Sequence, residues 1–145
     1  MGFRFSLATI LRLRESVEKR EESALNSILL EISNLQRAID ELNIGITKRS
    51  ERLQVEMKNS LEAKQMQLSL NEINAAVEWR RELLLMLEEM QQRKKEQMKQ
   101  YRAAVRGRLM LTEMRAQQRK EYEQKQERTQ QKFLDDIFAS RKYSD

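Results

Sequence analysis

The stretch "LNSILLEISNLQRAIDELNIGITKRSERL", residues 25–53, places aliphatic side chains at Leu25, Ile28, Ile32, Leu35, Ile39, Leu42, Ile46 and Leu53. The steps between them alternate three and four residues, closing with one step of seven that passes over Arg49. An α-helix turns once per 3.6 residues, so this alternation lays one apolar stripe along a helix and requires a second helix to cover it. Glu31, Gln36, Arg37, Asp40 and Glu41 fall on the remaining faces, as a coiled coil requires.

Working outward, Leu7, Leu11 and Val17 extend the stripe less regularly towards the start, with Ser6 placed to cap the helix. The first helix is therefore expected over about residues 5–57. In the following "MKNSLEAKQMQLSL", residues 57–70, the seam is lost and two capping-box patterns occur, Asn59 with Glu62 and Ser69 with Glu72. This predicts a connector over about 58–70 and a second helix over about 71–141. The second stripe runs through Leu70, Ile73, Val77, Leu84, Leu87, Met98, Tyr101 and Val105, with Arg80, Gln91 and Lys94 at seam positions.

If the chain turns near residue 63, the seam of 25–53 faces residues 101–73, the most apolar part of the second half. The expected fold is thus all-α: a long two-helix antiparallel coiled-coil hairpin. Beyond about residue 120 the second helix has no counterpart in the first and should overhang. At about 1.5 Å per residue it would extend roughly 105 Å. The competing arrangement is a parallel homodimer of one long helix, which the pairing of Ile and Leu at alternate seam positions also suits.

Composition agrees with helices throughout. The 145 residues are 35% charged and 6% aromatic, with no proline and three glycines, a vocabulary poor in turns. No apolar run approaches the roughly 20 residues of a membrane span, and Arg4, Arg12, Arg14 and Glu15 interrupt any signal-like opening. Cysteine and histidine are both absent. Without them there is no thiolate nucleophile, no imidazole base and no common metal-ligand set, and no Gly-rich phosphate loop occurs. Neighbouring acids such as Glu88 and Glu89, or Asp135 and Asp136, diverge by about 100° on a helix and do not converge on a substrate. The chain is expected to be a binding protein, with no catalytic residue, metal or cofactor.

The net charge of +5 is uneven, with residues 93–120 carrying +8 and residues 61–92 carrying −3. Arg93, Lys94, Lys95, Lys99, Arg102, Arg106 and Arg108 form a basic segment that could face an acidic partner. A solvated basic face is the plainer explanation of such a run. A nucleic-acid-binding coil is a further reading, although a basic zipper would set its basic region ahead of a strong seam, not after a decaying one.

The two ends carry a resemblance. "FRFSLATILRLRESVEKREESAL", residues 3–25, joined to a coiled coil that closes with "QQKFLDDIFASRK", residues 130–142, resembles the FliJ family of bacterial flagellar type III export. Its specific elements are the Phe-x-Phe-x-Leu opening with Leu11 and Arg14 downstream, and the arrangement of Gln131, Lys132, Asp135, Asp136 and Arg141. The resemblance implies a non-enzymatic cytoplasmic stalk like that of rotary ATPases, peripherally associated with the inner membrane at the flagellar base. It further implies as partners the flagellar export ATPase hexamer, the cytoplasmic domain of an export-gate membrane protein, and export chaperones, with no nucleic acid and no direct membrane insertion. On this reading Phe3, Phe5, Leu7, Phe133, Leu134, Asp135, Ile137 and Phe138 form the ATPase-ring tip. Folding of Phe3 and Phe5 onto the second helix, closing the rod, is the other reading of the opening aromatics. Ile73, Ala76, Val77 and Arg80 correspond to the gate contact, although Ile73 and Val77 also fit the intramolecular seam. A stalk of a virulence-type secretion system and a dimeric coiled-coil scaffold share this design and stay open.

Overall fold

In the computed structural model, which describes residues 2–144, the chain forms two long helices. Helix α1 covers Ala8–Lys58, 51 residues, and α2 covers Ala63–Ser144, 82 residues. The fold is all-helical, with no strand among the described residues, and the two helices touch one another repeatedly.

The start of α1 is set by tertiary contact. The sequence predicts a start near Phe5 with Ser6 as cap, but the helix begins at Ala8, after a turn in which the Ala8 N–H donates to the Phe5 carbonyl at 3.2 Å. The reason is burial: Phe5 is withdrawn from solvent into a cluster with Leu11 and Leu111, flanked by Phe3, Leu7 and Ala8. An aromatic side chain buried there contributes more than a Ser cap of about 1 kcal/mol.

The connector is shorter than expected. It is Asn59 to Glu62, and not residues 58–70, so α2 starts about eight residues earlier than the capping patterns predict. The Asn59 N–H bonds the Glu56 carbonyl at 3.1 Å, tightening the last turn of α1, and Ser60 takes the left-handed conformation at φ 66°. A left-handed residue just past a helix end redirects the chain and is the usual way to stop a helix without proline. The Ser69 and Glu72 pair lies inside α2, where residues three apart share a face whether or not a helix begins there.

Ser60 holds the left-handed conformation at a cost of about 1–2 kcal/mol that glycine avoids, against roughly 0.4–1 kcal/mol for glycine's freedom in the unfolded chain. Ser60→Gly is therefore expected to stabilise the protein by about 0.5–1 kcal/mol. A thermal melt checks this, and a lowered Tm would contradict it.

The contacts define two compact units, Met1–Glu21 with Tyr101–Asp145, and Glu22–Gln100. In the second unit α1 buries Leu25, Ile32, Ile39 and Leu53 and half-buries Ile28, Leu35, Leu42 and Ile46, so its seam is the one read from the sequence. Arg49 points outwards. On α2 the frame differs. Leu83 and Met90 are the buried residues, whereas Leu84 is 46% exposed and Leu70 sits at the surface. The run "LLLML" offers an apolar side chain at every angle, so the sequence pattern admits two frames that share Ile73, Arg80, Leu87 and Lys94 and differ by one residue between them. Packing selects the frame that buries Leu83 and Met90.

In the first unit the core is Phe5, Leu11 and Leu111, with Ala104 buried nearby on α2. The Arg14 side chain lies over Gly107, its Cδ at 3.6 Å from where a β-carbon would stand. The guanidinium Nε of Arg108 donates to the Glu18 carboxylate, an ion pair held in the seam with both side chains largely covered. Polar seam positions weaken the stripe but specify which residues face each other.

Candidate functional site

Helix α2 loses its cover beyond Tyr122. The Phe3 ring packs on the Tyr122 ring at 5.7 Å between centroids, tilted by 47°. From Glu123 to Tyr143 every side chain is exposed except Ile137, which is half-buried. Phe133 is 65% exposed, Phe138 66% and Leu134 48%. With residues i and i+4 adjacent on a helix, Phe133–Ile137 and Leu134–Phe138 form one apolar stripe, while Asp135 and Asp136 lie on other faces. Gln131 Nε2 donates to Asp135 Oδ1 at 3.2 Å, bracing the acid along the helix. An unpartnered stripe of large apolar residues is a surface for a partner.

The opening aromatics are not part of that stripe. Phe5 is in the core, and Phe3 and Leu7 are packed beside it. Phe133 lies eleven residues past Tyr122, which is about 16 Å further along α2. The structure therefore brings Phe3, Phe5 and Leu7 together on α2 near Leu111 and Tyr122, and leaves Phe133, Leu134, Asp135, Ile137 and Phe138 as a separate group. The sequence offered the signal for this, because Leu11 follows Leu7 by about one helical turn and a packed start was one of its two readings.

The basic residues divide in the same way between inward and outward. In the second unit Arg93, Lys95 and Lys99 are exposed, and Lys94 is half-buried in the seam frame. In the first unit Arg102 and Arg106 are exposed, while Arg108 is committed to Glu18. Lys94 and Arg108 thus face their own chain. The first unit carries the positive balance, +6 against −1 for the second.

Ile73, Ala76, Val77 and Arg80 are all half-buried. The Arg80 guanidinium donates to the Asn43 side-chain oxygen at 2.9 Å, tying α2 to α1 within the second unit. These four are engaged in the helix–helix contact, with Ala76 also at the wall of a surface groove shared with Trp79.

The surface residues that sequence reasoning missed lie along that groove. Trp79 is the one tryptophan of the chain and is 47% exposed, above the small residues Ala38 and Gly45 of α1. The signal available was the recurrence of small residues seven apart on one flank of the α1 seam. Among the described residues no cluster of acids could hold a metal ion, and no helix is long and apolar enough to cross a membrane. No protein-family model, no curated protein and no solved structure matches this chain.

Proposed function

We propose that this chain is a non-enzymatic binding protein, an antiparallel two-helix hairpin that serves as the stalk of a flagellar type III export ATPase. The antiparallel reading is supported within each unit. In the first, Phe3 meets Tyr122 and Glu18 meets Arg108; in the second, Leu35 lies with Met90 and Leu53 with Ser69. Partner numbers on α2 fall as those on α1 rise.

The observation that carries the functional reading is the bare stripe of Phe133, Leu134 and Phe138 on a stretch of α2 that α1 does not cover. Such side chains favour insertion into an apolar collar, where a few aromatic anchors supply most of the binding energy. The ring of the export ATPase is the proposed collar. The exposed Arg102 and Arg106 would face acidic ring surfaces, steering association without fixing one orientation. Links to an export gate and to export chaperones follow from the family resemblance and form part of the same proposal.

The test is a pull-down with the flagellar export ATPase of the same cell, comparing the intact chain with one ending at Gln130 while ATP hydrolysis is followed. The expected result is binding and stimulation by the intact chain, both lost on truncation. Because residues 131–143 make no buried core, the shortened chain should retain its helicity. Absence of binding by the intact chain would overturn the proposal.

A further inference from the structure

The chain contains two Asn-Ser pairs. Asn26-Ser27 lies well inside α1, and Asn59-Ser60 lies in the connector. All four residues are exposed, so water and hydroxide reach both pairs. Their backbones differ. Within α1 each N–H is bonded to the carbonyl four residues back, and ψ is held near about −42°. Past the end of α1 the Asn59 N–H instead closes a tighter turn onto the Glu56 carbonyl at 3.1 Å, and Ser60 reverses the chain at φ 66°. Of the six asparagines only Asn59 lies outside a helix. The side-chain oxygens of two others are also engaged, Asn43 by Arg80 and Asn71 by Gln67.

We propose that Asn59 is a site of spontaneous deamidation, a modification that loosens the connector. The Ser60 backbone nitrogen gives up its proton to hydroxide and attacks the Asn59 side-chain carbonyl carbon. A C–N bond forms, the bond to the side-chain amide nitrogen breaks, and that nitrogen takes a proton from water and leaves as ammonia. Water then opens the five-membered imide at either carbonyl, giving aspartate or, with the backbone rerouted through the side chain, isoaspartate. Ring closure requires the asparagine ψ to leave the helical value and the next N–H to be free of a helical ladder. Asn26 meets neither requirement, because each would break α1 in its interior. Asn59 is beyond the last turn, so the same rearrangement there disturbs no ladder on both sides.

The product differs from the parent in two ways. A carboxylate appears directly after Lys58, at the end of α1 where the helix dipole disfavours negative charge, and Glu56 and Glu62 already lie within three residues in sequence. Isoaspartate also adds a methylene to the backbone of a connector that runs only from Asn59 to Glu62. Both changes weaken the closure of the last turn of α1. This inference does not depend on the export-stalk reading.

The test uses the full chain, incubated folded at mildly alkaline pH and sampled over time by peptide mapping with mass spectrometry. Asn59 is expected to convert at least tenfold faster than Asn26, with isoaspartate among the products. In urea sufficient to unfold the chain the two sites should convert within about threefold of one another, since the dipeptide is the same. Ser60→Gly removes the side chain beside the attacking nitrogen and should speed conversion at Asn59 at least fivefold while the fold is kept. Hydrogen exchange on the aged protein should show amides 55–58 at least threefold less protected, with those of Ile32 and Ile39 unchanged. Equal conversion of Asn59 and Asn26 in the folded chain would overturn the proposal, as would aspartate as the sole product or a rate indifferent to Ser60→Gly. An aged chain with amides 55–58 as protected as before would overturn it too.

Discussion

Leu83→Ala is expected to destabilise the protein by about 3 kcal/mol, whereas Leu84→Ala, its neighbour in the same apolar run, should change stability by less than about 0.5 kcal/mol. The two residues are chemically identical and differ only in where the helix phase puts them. Leu83 is 5% exposed and Leu84 is 46% exposed. Truncating Leu83 removes buried methyl groups and leaves a void between helices held apart by Leu87, Met90 and the facing α1 side chains. Truncating Leu84 exposes little new surface, and alanine's better helix propensity offsets part of the loss. Urea denaturation of the two variants measures the difference. Equal losses would mean that α2 packs on both frames, and a larger loss at Leu84 would mean that the frame is the other one.

Leu11→Ala is the second large effect, at about 3 kcal/mol for the first unit. Leu11 is the most buried of the core residues, 3% exposed, and it joins Phe5 to Leu111. The segment ahead of α1 is further held by the Phe3–Tyr122 ring contact and the Ala8-to-Phe5 backbone hydrogen bond. Removing Leu11 should therefore free Phe3 and Phe5 as well as weaken the helix contact. Hydrogen exchange is the discriminating measurement. Amides from Leu7 to Leu13 should lose protection by roughly a hundredfold, while those at Ile32 and Ile39 in the second unit keep theirs. A loss below about 1 kcal/mol with protection retained would contradict this account of the cluster.

The all-helical fold and the α1 seam were legible because Leu25 to Leu53 carries one aliphatic residue at nearly every seam position and polar residues elsewhere. The α2 frame was not, because Ala76 with Val77, Leu83 with Leu84, and Ala104 with Val105 each offer two adjacent apolar candidates. The connector was misplaced for a related reason. Asn59 with Glu62 and Ser69 with Glu72 are equally good capping patterns, and the deciding feature, the left-handed Ser60, is a backbone angle that serine does not announce. The exposed stripe at Phe133, Leu134 and Phe138 was visible as an apolar run with nothing left on the first helix to cover it.

By itself the sequence determined that the chain is helical, that α1 has one buried stripe, and that cysteine and histidine are missing. These follow from composition and from spacing along a single helix, which are local properties. Only the tertiary structure decided which face of α2 is buried, where the chain turns, and that Phe3 and Phe5 pack on α2 apart from Phe133 and Phe138. Those outcomes depend on how two surfaces fit. Adjacent apolar residues compete for one seam position, and the winner is chosen by the volume and charge of the side chains opposite it.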